Sequence, residues 1–296
     1  MSQAHAPDTS HYYVPHHSLW PIVGSVSLFS IMLGTVCYFN DWTGPVSLIP
    51  GFALIACTFF GWFYTVIGEN QQGVLNNSQV DRSFRMGMMW FIFSEVMFFG
   101  AFFGALFYAR VLSTAWLGGR SVHIFTNLLL WPHYDGTWPT NGPGHVGGHV
   151  DGSFETVPAF GVPALNTLIL LTSGVTVTIA HHALREGKRG VLKIFLALTF
   201  LLGFSFVALQ AHEYGEAYRE LGLKLSTGIY GSTFFMLTGF HGLHVTIGAI
   251  MLTVVWLRVL RGHFTKDRHF AFEAVAWYWH FVDVVWLGLF VFVYWL

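Results

Sequence analysis

The chain has 296 residues, of which 54% are hydrophobic and only 10% are Asp, Glu, Lys or Arg; a soluble domain carries about 25% charged residues. Its net charge of -1 gives no basic surface for nucleic acid. Aromatic residues reach 18%, with 30 Phe and 12 Trp, a composition suited to lipid-facing helices and interfacial belts. The two cysteines, Cys37 and Cys57, lie in apolar stretches without metal-ligand spacing and read as small hydrophobes.

Residues 1–19 read as a cytoplasmic N-terminal tail. The opening MSQAHAPDTSHYYVPHH has neither the positive region nor the apolar core of a signal peptide. Its histidines His5, His11, His16 and His17 titrate near neutral pH and are candidates for buffering protons at a membrane surface.

A spanning helix needs about 20 mostly apolar residues. Seven segments qualify: 20–39, 47–67, 86–108, 163–182, 191–211, 228–257 and 272–296. The fold class is therefore all-α integral membrane. The short turn NDWTGPV makes the first two spans an antiparallel hairpin, 20–67. A polar cytoplasmic linker, 68–85, separates the hairpin from a five-helix bundle, 86–296. Within the bundle, 112–162 is expected as an outside loop rich in Gly, Pro and His. Its His133, His145 and His149 read as solvated residues, and the apolar run HIFTNLLLWPHY as an interfacial segment. Placing the N-terminus inside puts Arg82, Arg85, Arg185, Lys188, Arg189, Lys193, Arg258, Arg261, Lys266 and Arg268 on the inner side. Only Arg110, Arg120, Arg219 and Lys224 are left outside. The bias predicts an inside N-terminus and an outside C-terminus.

The third span, MGMMWFIFSEVMFFGAFFGALFY, holds one carboxylate, Glu95. A charge there costs several kcal/mol, so Glu95 is expected to be protonated, partnered or both, and is a functional-site candidate. Its own helix face offers Met88, Phe91, Ile92, Phe98, Phe99 and Phe102, none able to bond a carboxylate. A partner must come from another helix, another chain or water. The seventh span carries Glu273, His280 and Asp283 at steps of seven and three, one helical face. The sixth carries His241 and His244. At about 1.5 Å per residue these groups fall at similar depth and are able to form one polar layer. The favoured reading is an interhelical polar clamp built from His241, His244, Glu273, His280 and Asp283. A metal or haem site on His241, His244 and His280, or a proton path, is the alternative, and no metal is expected. The basic run HFTKDRH at 263–269, with Arg258 and Arg261 just before it, reads as an anionic-lipid site in preference to a solvated loop.

The motifs GSTFFMLTGFHGLHVTIG at 231–248 and HFAFEAVAWYWHFVDVVWLGLFVFVYW at 269–295 resemble subunit III of the haem–copper cytochrome c oxidases. SEVMFFGAFF, VPALNTLILLTSGVTVTIAHHAL and LQAHEYGEA follow the same family in order. The resemblance implies a non-catalytic subunit of a proton-pumping oxidase, with no redox centre of its own. Haem a and copper would sit in partner subunits. It implies docking on subunit I beside subunit II, with cytochrome c an indirect partner. The hairpin and bundle would enclose a cleft holding phospholipids, and the subunit would support proton uptake and slow turnover-linked inactivation. By the same resemblance, Glu95 matches the family's carbodiimide-reactive intramembrane glutamate. Trp62 and Glu69 match cleft-lining residues, and Arg258, Arg261 and His263 match lipid headgroup contacts. The expected location is a bacterial inner membrane ahead of a mitochondrial inner membrane. The rival functions are a stand-alone membrane metalloenzyme and a proton-coupled transporter using Glu95.

Overall fold

The computed structural model describes residues 14, 17–73, 77–120 and 123–296. His5, His11 and His16 lie outside the described residues. Among the described residues the secondary structure is entirely helical. The long helices are α1 (Trp20–Phe39), α2 (Ile49–Gln72), α3 (Ser78–Phe107), α6 (Val162–Glu186), α7 (Arg189–Arg219), α8 (Gly228–Leu260) and α9 (Phe270–Leu289). Two short helices, α4 (Thr114–Leu117) and α5 (Ile124–Leu130), lie between α3 and α6. All seven long helices have the length and apolarity to cross a membrane.

The chain divides into two compact units, residues 1–87 and 88–296. In the first unit, α1 and α2 form the hairpin. Pro21 stands in the first turn of α1, where its missing N–H costs nothing. The two helices meet along small residues. A Cβ on Gly34 would come within 2.4 Å of the Ser47 carbonyl oxygen. The hydroxyls of Ser27 and Thr58 meet at 3.2 Å in the buried seam. Such close backbone approach substitutes for the hydrophobic driving force that lipid removes.

The second unit is built on α6 to α9, with α3 contributing from residue 88 onward. Its core includes Phe206, Phe234, Phe272, Trp279 and Trp286, each at most 1% exposed. Trp279 fills the space left by two glycines. A Cβ on Gly203 would lie 2.6 Å from its ring, and one on Gly248 would lie 2.8 Å from it. Its indole N–H donates to Ser173 Oγ at 2.9 Å, and that of Trp286 donates to Thr167 Oγ1 at 2.9 Å. Buried indoles thus find hydroxyl acceptors on α6.

Several boundaries differ from the sequence expectation, for a common reason. A polar residue ends an apolar run but does not end a helix. The expected linker 68–85 is largely helical: α2 continues to Gln72 before Gly73 (φ 81) closes it in a left-handed cap. Helix α3 then starts at Ser78, eight residues before the apolar run. Helix α7 extends past residue 211 to Arg219. The expected outside loop 112–162 is more ordered than its composition suggests. Asn127 Nδ2 donates to the carbonyls of Leu117, Trp131 and Tyr134 at 2.8–3.0 Å. Backbone bonds from Glu155 to Leu221 and from Tyr230 to Thr140 tie the loop to the α7–α8 connection and to the first turn of α8. His133, His145 and His149 are exposed, as expected of solvated residues, although a Cβ on Gly222 would lie 2.7 Å from the His149 ring.

Candidate functional site

Glu95 finds its partner on α8. Its Oε2 lies 3.0 Å from His244 Nε2, and the two side chains are only 21% and 12% exposed. The other imidazole nitrogen, Nδ1, lies 2.6 Å from the Phe240 carbonyl. A carbonyl only accepts, so Nδ1 carries hydrogen, and the Nε2 lone pair faces the carboxyl group. Two acceptors at this distance require a proton between them. The contact is therefore either a carboxylic acid donating to imidazole or an imidazolium donating to carboxylate. Phe99 packs edge-on against the imidazole at 5.0 Å and Phe98 flanks it at 6.0 Å. The Phe face that offered Glu95 no bond thus walls the pair from its surroundings.

The other groups separate into distinct pairings and do not form a single polar layer. His241 is fully buried, with Nε2 3.2 Å from the Val282 carbonyl of α9. His280 stays on the helix surface, 3.3 Å from Thr178 Oγ1 of α6. Asp283 is buried beside Gly174, where a Cβ would meet its Oδ2 at 2.4 Å. Its nearest basic group is His280 of its own helix, at 3.7 Å. Glu273 faces His269 and His181, at 3.1 and 3.7 Å. Glu273, His280 and Asp283 thus share the face turned toward α6, as their spacing predicts, and that face is not the one meeting His241 and His244. Among the described residues, His241, His244 and His280 do not form a three-ligand cluster.

One buried group escaped the sequence reading. Glu213 of α7 is 2% exposed; its Oε1 accepts from Tyr294 at 2.7 Å and from Gln210 at 2.9 Å. Its signal was present in LQAHEYGEA, but the polar letters there looked like the end of a span.

The headgroup candidates lie at the α8–α9 connection. Arg258 is buried, with its guanidinium 4.6 Å above the Phe264 ring, while Arg261 is exposed. Burial, then the charges of Arg258 and Arg261, pushes the His263 imidazole below its ordinary range. In the first unit, Glu69 lines an open groove of about 370 Å³ with His17, Ser18, Leu19, Trp20, Val23 and Thr65. Trp20 closes one wall through a 3.0 Å bond to Thr65. Trp62 stands apart on α2, 45% exposed.

A seven-span helical architecture, with a carboxyl–imidazole pair held between two spans, defines the chain as a polytopic integral membrane protein. Comparison with known proteins narrows the class. A family profile described as Cytochrome c oxidase subunit III matches residues 10–296. Relatives named cytochrome c oxidase subunit 3 include one from Danio rerio, 42% identical over 99% of this chain and 98% of its own length. Another, from Oryctolagus cuniculus, is 40% identical over 97% of both. The chain belongs to the cytochrome c oxidase subunit III family. It is accordingly a subunit of a respiratory oxidase complex.

Proposed function

We propose that this chain is a non-catalytic core subunit of a proton-pumping cytochrome c oxidase. It stabilises subunit I, holds phospholipids and assists proton uptake, while haem a and copper reside in partner subunits. Subunits I and II are its direct neighbours and cytochrome c is an indirect one. The location is a respiratory membrane, with the bacterial inner membrane favoured. The observation that carries the reading is the Glu95–His244 pair. It is a group able to hold one proton between two acceptors inside the apolar span, with the Tyr278 ring stacked on the imidazole at 6.3 Å; among the described residues it is not part of a three-ligand cluster. Such a pair suits a helper that exchanges or stores protons better than a catalyst.

Lipid binding rests on the Arg258, Arg261 and His263 group, in which exposed Arg261 offers phosphate a guanidinium fork, while Arg258, buried against Phe264, adds its charge from behind. Glu69 and Trp62 are proposed as lipid-facing residues of the hairpin. The N-terminal histidines are proposed as proton buffers. The test is purification in mild detergent from the native membrane. Subunits I and II should accompany the chain with retained oxygen reduction, and haem and copper should stay with those partners when the chain is dissociated. Stoichiometric haem or copper on the dissociated chain would sink the reading.

A further inference from the structure

Away from Glu95, three side chains from two helices converge. His181 lies in the last turns of α6, His269 immediately precedes α9, and Glu273 stands in the first turn of α9. His269 Nε2 is 3.1 Å from Glu273 Oε1, and His181 Nε2 is 3.7 Å from the same oxygen. One ligand atom from each residue falls within 4.8 Å of the other two.

The proton arrangement does not suit these contacts. His269 Nδ1 lies 3.2 Å from the Thr265 carbonyl, so it carries the hydrogen and leaves the Nε2 lone pair aimed at the carboxylate. His181 Nε2 is buried and lacks any hydrogen-bond partner. Two imidazole nitrogens thus address one carboxylate oxygen. A single proton satisfies one of these approaches; a cation at the centre satisfies all three. The carbonyl behind His269 is also the second-shell contact that orients metal-ligating histidines.

The distances suit a small divalent ion. Donors at about 2.0–2.1 Å around tetrahedral zinc lie about 3.4 Å from one another. The two nitrogen–oxygen separations, 3.1 and 3.7 Å, straddle that spacing. Two imidazoles and one carboxylate select first-row transition ions over Mg²⁺ or Ca²⁺. The side chains are 27%, 10% and 16% exposed for His181, His269 and Glu273, so a fourth position remains open to water.

We propose that His181, His269 and Glu273 bind a divalent first-row transition ion, with Zn²⁺ as its probe, joining the end of α6 to the start of α9. Neither histidine belonged to the residues singled out from the sequence. The pairing crosses two helices, and only the step of four from His269 to Glu273 is visible in one dimension.

The test uses the purified oxidase complex, stripped with chelator and dialysed against Zn²⁺. Wild type should retain one more zinc equivalent than His181→Ala or His269→Ala, and affinity at that equivalent should fall roughly tenfold or more. A second measurement needs no variant. Zinc should slow modification of His181 and His269 by diethylpyrocarbonate, read by mass spectrometry, and leave exposed His133 unaffected. Equal zinc content in wild type and variants would overturn the proposal, as would zinc-independent modification of both histidines. Either result would mean that a proton alone holds the contact.

Discussion

At the scale of single residues, Glu95 and His244 form a unit whose members are not equivalent under substitution. In Glu95→Gln the amide can donate to His244 Nε2, so the contact survives without its carboxyl proton. Oxygen reduction by the assembled complex should stay nearly intact, and a collapse of turnover would show that Glu95 serves catalysis directly. His244→Ala instead leaves a buried carboxyl without a partner, a cost of about 1–3 kcal/mol. Thermal unfolding of the complex should show His244→Ala as the more damaging change. Adding Glu95→Gln to it should recover part of the loss, because the orphaned carboxyl is then gone. His263 gives a pH dependence of the opposite origin. Burial, then Arg258 and Arg261, holds its imidazole below the ordinary range. The unfolded chain therefore binds the extra proton more readily, and this residue's contribution to stability falls as pH drops through about 6.5. An anionic headgroup favours the protonated form. Phospholipid retention, measured by mass spectrometry, should therefore rise on acidification from about pH 7.5 to about pH 5.5, a rise that His263→Ala should flatten.

At the scale of helices, packing around Trp279 decides how closely α6 to α9 approach. Gly203 and Gly248 leave room for the indole from two sides, and Ser173 takes its N–H. Gly203→Val forces side-chain bulk into that ring and should cost about 1–3 kcal/mol, seen as a lower midpoint of thermal unfolding. A change at Gly242, where an added Cβ meets nothing within 4 Å, is the matched control. The helices themselves were legible in the sequence because lipid imposes a length on apolar runs. Their ends were not, since Glu213 and its neighbours continue α7 by finding partners on distant Tyr294. The same limit hid the partner of Glu95. A spacing rule reaches one turn along a helix, whereas His244 lies 149 residues away. Periodicity did place Glu273, His280 and Asp283 on one face, but could not say that α6 lies opposite it.

At the scale of the whole molecule, orientation and tail remain the points to measure. The distribution of Lys and Arg predicts that a reporter fused after Leu296 reads as external. Deleting residues 1–17 should slow oxygen reduction at high pH, where a bulk supply of protons is scarce and histidine buffering counts most; unchanged turnover would remove that role. The hydrophobic burial is uneven along the chain. In α1, α2 and α3 only 11% of the most apolar stretch is buried within the protein, against 28% to 44% in α6 to α9. The first three spans thus draw most of their solvation from whatever surrounds them. Their native state is in effect a solution property, set by the acyl chains or neighbouring helices at hand. Progressive delipidation should therefore expose this third of the chain to protease well before the later helices yield.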